Sequence, residues 1–450
     1  MVVLRSQVAH GTIRRIDVSK ALSLAGVNAV LTGRDLGATV PYIQFRRPIP
    51  SIMPYGQPVI ATAKVRYVGE PIAVVLADSA EIAEDALALI DVEIDALPAV
   101  VDARAAKSNA VNLFVDAPDG NLTATFTGDS GDCDAAFKGA PLVVKGSFRT
   151  QRQTALPMET RGLLAEWDEP SAKLTISGAA KLPFFNKRAM AKVMGLAESQ
   201  VEYIEYDVGG GFGARGEFYP EDGLIAICAR RFNKPIKWIE DRREHLMSIG
   251  HSREADADVE MAFAKDGKLL ALRGEIFCNI GAYMRPNGTT PVRNAAQFIT
   301  GPYKVENFSI RSHAIATNKT PAGTYRGPGR YESCFFFERM MDKAAAKLGI
   351  DRLEIRRRNL IPHAEMPYKM VKIGDAIYEP GAIDPADQPL MDMDMFCYIL
   401  QSDFEIHKAG IPAYTVKAGG CYTCGKGKSD QGQNIGTGIG IMRVAMFVPA

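Results

Sequence analysis

The stretch that most constrains this chain is the glycine run at residues 207–217, DVGGGFGARGE. A β-rich segment, VEYIEY, leads into it, and an apolar segment with helical spacing, 218–232, follows. Glycines tolerate positive φ and let backbone approach a ligand with no Cβ in the way. A loop that opens a helix also directs free N–H groups outward, which suits an anion. The chemistry therefore points to a cofactor bearing oxo, thiolate or phosphate groups. Two other readings stay open. Gly211, Gly213 and Gly216 match GxGxxG, and the strand-like PIKWIE that follows ends in Glu240 and Asp241, near where a ribose-binding acid would lie. That pattern would suit a Rossmann-type dinucleotide-binding dehydrogenase. The third reading is a tight strand-to-helix turn that binds nothing.

A second irregular segment lies at 317–330, TNKTPAGTYRGPGR. Its glycines and prolines enforce a non-repetitive backbone around Arg326. Held that way, the guanidinium offers a rigid fork of donors suited to an anionic or metal-oxo ligand. A solvated surface turn is the plainer alternative. Charge adds little: 53 basic residues nearly cancel 52 acidic ones, so nothing calls for nucleic acid. The seven cysteines are odd in number and scattered, which fits a reducing cytoplasm. No four of them cluster as an iron–sulfur site would need, and Cys421 and Cys424 read as two loop thiols. No stretch approaches the ~20 apolar residues of a membrane span, and MVVLRSQVAHGTIRR does not read as a secretory signal.

Periodicity gives the organisation. Residues 1–112 read as a compact α/β unit, with a buried strand over 65–77, a helix opened by Asp78 and running to Leu89, and an alternating strand through Val92, Ile94 and Ala96. Residues 103–130 read as a connector. A second domain, 130–366, follows, its main body starting near Phe137. It has strands at KLTISG and VEYIEY and a short helix at 187–195. A longer helix, 332–348, stops at Gly349. Residues 367–450 hold no period and read as a divergent, loop-rich segment.

Together and in this order, DVGGGFG, GPY, TYRGPGR, ER and RNL resemble the large subunits of the xanthine dehydrogenase/aldehyde oxidase family of molybdenum hydroxylases. RSQVAHGTIRRID, VRYVGEPIAVV and LPAVVD look like that family's α/β hammerhead domain, and WIEDRREHL and GAYMRP also fit. The resemblance covers residues 4–366. It implies an α+β fold, a hammerhead domain followed by the first molybdopterin-binding domain. It also implies a molybdopterin cofactor, cytosine dinucleotide form, carrying molybdenum with no direct protein ligand. 2Fe-2S and FAD would reside on partner iron–sulfur and FAD subunits. The reaction implied is hydroxylation of an aldehyde or N-heterocycle with water as the oxygen source. By resemblance, Gly210, Gly211, Phe212 and Gly213 face the cofactor from one loop and Arg326 from the other. Lys181, in GAAKLPFF, stands where many members place a glutamine. Glu217, Arg293, Asn294 and Pro328 fall in the substrate pocket.

The departures are informative. Gly216, Asn294 and Pro328 stand where purine-oxidising members carry a glutamate, an arginine and an aromatic, so xanthine is not the expected substrate. Gly327 occupies the position of the copper-binding cysteine of carbon monoxide dehydrogenases. The family's catalytic glutamate, in a Gly-Glu motif of a second cofactor-binding half, has no counterpart here. Gln433, in DQGQNIGTG, is only a loose echo of that half's cofactor loop. The chain thus reads as one half of a site. A missing C-terminal half or a paralogous large-subunit chain would be its partner. A non-catalytic remnant or assembly partner of the same fold is the alternative.

Overall fold

The computed structural model describes residues 1–365 apart from 38–39, 47, 109–110, 118 and 181, and, beyond 365, the strands named below. Residues 1–371 form one compact unit and 372–450 another.

In the first unit the run PIAVVLA becomes strand Pro71–Ala77, the centre of an antiparallel sheet between Val2–Arg5 and Val27–Thr32. It is buried along nearly its whole length, which is why its sequence is continuously apolar rather than alternating. One face packs on helix Ala80–Ala88 through Val75, Ala83 and Ala86. On the other, Val3, Leu31, Val74 and Leu76 join Leu163, Ile176 and Trp238 of the following domain in one continuous core. A second small sheet, Lys64–Val65, Gly11–Asp17 and Asp91–Ala96, completes the domain. The strand expected over 65–77 is interrupted, because Glu70 turns inward to accept the Arg66 N–H (2.6 Å) and the Tyr283 hydroxyl (2.6 Å). The helix is capped by Ser79, which accepts from Ile82 N, rather than by Asp78. Asp78 instead accepts from the Asn28 amide at 2.8 Å.

Two sheets build the second domain. The larger runs Leu122–Ser130, Asn307–Ala316, Leu269–Gly281, Ala255–Phe263, Leu142–Thr150. Its strands are antiparallel except for the pair 269–281 with 307–316, whose crossover carries helix Thr289–Gln297. Helix Arg330–Leu348 lays Phe336, Met340 and Ala344 against this sheet. A Cβ on Gly146 would sit 2.7 Å from the Met340 sulfur, so glycine is what admits the helix there. The smaller sheet, Val201–Ile204, Lys173–Gly178, Gly162–Asp168 and Ile236–Ile239, packs against helices Pro183–Met194 and Pro220–Phe232. Residues 103–130, expected as a connector, already contain helix Ala103–Lys107 and the edge strand of the larger sheet.

Beyond 366, a stretch read as loop-rich, the described residues are antiparallel strands. One sheet is ordered Ala376–Tyr378, Gly440–Phe447, Asp394–Gln401, Cys421–Cys424; the other is Ile411–Val416, Phe404–Lys408, Asp430–Asn434. Cys421 and Cys424 therefore bound a strand rather than sit in a loop. The Rossmann reading also fails. The strand before the glycine run belongs to a mixed sheet whose other pairings are antiparallel. The helix begins only at Pro220, beyond a 3₁₀ turn at Ala214–Gly216. Glu240, the would-be ribose acid, is instead buried in an ionic cluster.

That cluster joins the domains. Arg5 of the first strand meets Glu221 (2.8 Å) and Glu244 (3.0 Å). Arg161 bridges Glu221 (3.1 Å) and Glu240 (2.6 Å), and His245 Nδ1 lies 2.5 Å from Glu240. Burial works to raise the Glu240 pKa, yet the Arg161 charge and hydrogen bonds from His245 and Arg161 outweigh it and hold the carboxyl at about 2.

Candidate cofactor site

The glycine loop is irregular because its residues leave ordinary backbone space. Gly210 and Gly213 take φ of +107° and +105°, and Phe212, a non-glycine, takes +48°. A Cβ at Gly213 would come within 3.0 Å of the Thr324 carbonyl, and one at Gly209 within 2.4 Å of Glu159 Cβ. Those glycines are needed for close approach. Gly211 differs: its nearest would-be neighbour is Arg215 Cβ at 3.9 Å, so its backbone faces open space. The loop is pinned from behind. Arg215 donates to the carbonyls of Glu159 (2.7 Å) and Thr160 (2.9 Å), and Gly209 N donates to Glu159 Oε2 (2.8 Å).

The arginine loop docks onto the glycine loop. Arg326 N donates to the Phe212 carbonyl at 2.7 Å, and the Thr324 hydroxyl reaches the Gly213 carbonyl at 3.0 Å. The two segments, far apart in sequence, meet backbone to backbone at the residues singled out in each. Phe212 remains 48% exposed. The Arg326 side chain is exposed too, and among the described residues its guanidinium makes no hydrogen bond or ion pair.

Asn294 and Pro328 also come together. The Asn294 amide donates to the Pro328 carbonyl at 3.0 Å, and Arg293 Nη2 reaches Asn294 Oδ1 at 3.3 Å. Gly329, at φ +76°, lies so close to helix Thr289–Gln297 that a Cβ would approach the Pro291 carbonyl to 2.3 Å. Glu217 departs from the role expected of it. It is 1% exposed, and its oxygens accept from Thr324 N (3.0 Å), Thr324 Oγ1 (3.2 Å) and Asn287 N (3.3 Å). Burial raises its pKa against these donors and the Arg285 charge. It is a brace between loops, not an open pocket wall. Lys181 lies outside the described residues. Nothing in the sequence marks Arg253 or Thr324, yet both hold the arginine loop; the only local signal is a threonine beside the glycines of PAGTYRG.

Open glycine backbone, an exposed ring and an unpaired guanidinium at the meeting of two loops fit a bulky anionic cofactor. Comparison with known proteins identifies it. The family described as "Molybdopterin cofactor-binding domain" matches residues 114–360, and "Aldehyde oxidase and xanthine dehydrogenase, a/b hammerhead domain" matches residues 1–98. The chain belongs to the molybdenum hydroxylase family. Within it, the chain is 37% identical over 391 residues to the 6-hydroxypseudooxynicotine dehydrogenase complex subunit gamma of Paenarthrobacter nicotinovorans. That match covers 86% of this chain and 49% of the relative. Among solved structures it is similar to quinoline 2-oxidoreductase from Pseudomonas putida 86, with a TM-score of 0.77 at 29% identity, covering 89% of this chain and 57% of that one. The chain spans about half the length of curated molybdenum hydroxylases such as the gamma subunit. A relative of other proportions is the nicotinate dehydrogenase large molybdopterin subunit of Eubacterium barkeri. It is 29% identical, and the match covers 79% of this chain and 81% of that subunit. Among the described residues no helix is long and apolar enough to cross a membrane.

Proposed function

We propose that this chain forms the first half of the molybdopterin site of a cytoplasmic molybdenum hydroxylase, and that the rest of the site comes from the part of the relatives that these residues do not span. The observation that carries the reading is the 2.7 Å bond from Arg326 N to the Phe212 carbonyl, which makes one site of two loops. Gly210, Gly211, Phe212 and Gly213 would hold the cofactor, in its cytosine dinucleotide form, from one side, and Arg326 from the other. When bound, the cofactor supplies a water-derived oxygen and a sink for two electrons. This chain's residues bind and orient: loop N–H groups and the Arg326 fork stabilise negative charge, and Phe212 excludes water from one flank. Partner subunits would hold the 2Fe-2S and FAD that take up those electrons.

The substrate is an aldehyde or an N-heterocycle other than xanthine. In support, the Asn294 amide is already engaged by Pro328, and Glu217 by backbone. Neither is free to read a purine. Relatives are named for 6-hydroxypseudooxynicotine and for quinoline.

Affinity purification of the chain from its own cells, followed by sequencing of the co-purifying chains and assay of the complex, tests this. The reading requires iron–sulfur and FAD subunits among the co-purifying chains, and dye reduction with aldehydes or N-heterocycles but not xanthine. Efficient xanthine turnover refutes the substrate reading. A complex without cofactor or turnover leaves the non-catalytic alternative.

A further inference from the structure

Two buried charged side chains aim at the arginine loop from behind. Arg253 is 8% exposed and takes φ +75°, a conformation rare for a residue with a side chain. Its guanidinium lies between the rings of Tyr325 (4.7 Å) and Tyr331 (4.9 Å). Its nearest carboxylate, Glu332, is 3.5 Å away. Its donors go instead to backbone: Nη1 to the Gly327 carbonyl at 3.2 Å, and Nη2 to the Arg326 carbonyl. A planar fork gripping adjacent carbonyls fixes the peptide planes on either side of Gly327. Gly327, at φ +69° with open space around it, would not hold them by itself.

At the loop's other end, Glu217 takes Thr324 N on Oε1 and Asn287 N on Oε2. A Cβ on Gly323 would lie 2.9 Å from that Oε1, so glycine is needed for the carboxylate to reach. Between the two anchors lie Thr324 Oγ1 to Gly213 O and Arg326 N to Phe212 O. Neither anchor reaches the open face where the Arg326 side chain stands.

We propose that Arg253 and Glu217 are positioning residues: they clamp the arginine loop at both ends and thereby set where Phe212 and Arg326 stand relative to each other. The clamp's bearing on the cofactor rests on the function proposed above; its bearing on the loop does not.

The test uses the complex as purified from its own cells, with Arg253→Met, Arg253→Lys and Glu217→Gln. Hydrogen exchange is followed in the peptide covering 317–330, with 255–263 and 307–316 as controls, and released pterin is counted per chain. Local loosening should speed exchange in 317–330 by about tenfold in Arg253→Met and Glu217→Gln, with the controls unchanged. Arg253→Lys should fall between, since an ammonium cannot grip both carbonyls as a fork does. Pterin content should fall in the same order. Wild-type exchange in 317–330 for Arg253→Met overturns the clamp. If Arg253→Met loosens everywhere, the other two variants decide. Loosening confined to the loop sustains the clamp, and global loosening in all three overturns it in favour of a folding role. A loosened loop with no pterin in the unmutated complex refutes the cofactor reading and leaves the clamp standing. Full pterin retention in loosened variants overturns its part in placing the cofactor.

Discussion

Arg326 and Arg161 show how differently one residue type serves in this fold. The Arg326 guanidinium is exposed and, among the described residues, unpaired. Replacing it should cost the fold little, within ~0.5 kcal/mol as for a surface side chain. Arg326→Met should therefore unfold at the wild-type midpoint in denaturant while the complex loses most of its pterin. Equal retention of pterin would remove Arg326 from the site. Arg161 is buried against Glu221 and Glu240. Arg161→Met removes the cation shared by Glu221 and Glu240, leaving Arg5 on the first and His245 on the second, and breaking such a buried pair should destabilise by roughly 3–5 kcal/mol. The same cluster sets a pH dependence. Glu240 is held at about 2, below its ordinary value of 4.5. Such a group adds stability that is complete above about pH 4.5 and is lost as the pH falls from there through 2. Denaturant titrations across that window should show the loss in the wild type, and a shallower acid limb in Glu240→Gln.

At the scale of elements, glycines divide into those that admit a neighbour and those that only turn the chain. Gly329 and Gly327 share the arginine loop and positive φ. Gly329→Ala would drive a methyl into the Pro291 carbonyl and Ala295 N, whereas Gly327→Ala meets nothing within 4 Å. Thermal unfolding should show Gly327→Ala costing about 1 kcal/mol, the backbone term alone, and Gly329→Ala at least twice that. Much of the element order was readable beforehand. Strand Lys173–Gly178 and the stop of helix Arg330–Leu348 at Gly349 follow from local pattern. What was not readable depended on distant partners. Asp78 and Ser79 are equally good caps in sequence, and Asn28 decides between them by taking Asp78. The strands beyond 372 were hidden because glycine-rich and polar runs separate Cys421–Cys424, Asp430–Asn434 and Gly440–Phe447, leaving no apolar period. The site's two loops were each legible, but their meeting came only from family resemblance. Arg253, in HSRE, looks like a solvated charge until the tyrosines around it are seen.

On the scale of the molecule, the open side of the site is apolar as well as polar. Val208 and Phe212 of the glycine loop are exposed, and so are Leu156 and Met158 (92%) in the segment tied to that loop through Glu159 N and the Gly209 carbonyl. Apolar surface gathered beside a binding site marks a contact region. The chain purified alone should therefore self-associate, which light scattering of the purified protein checks.

The central claim is that the glycine and arginine loops form one side of a molybdopterin site. The most direct measurement is molybdenum and pterin per copy of this chain in the complex isolated from its own cells, for the wild type and for Arg326→Met. About one of each is expected in the wild type and little in Arg326→Met, where the guanidinium fork no longer stabilises an anion. A wild-type complex free of molybdenum and pterin, or an Arg326→Met complex carrying a full complement, would contradict it.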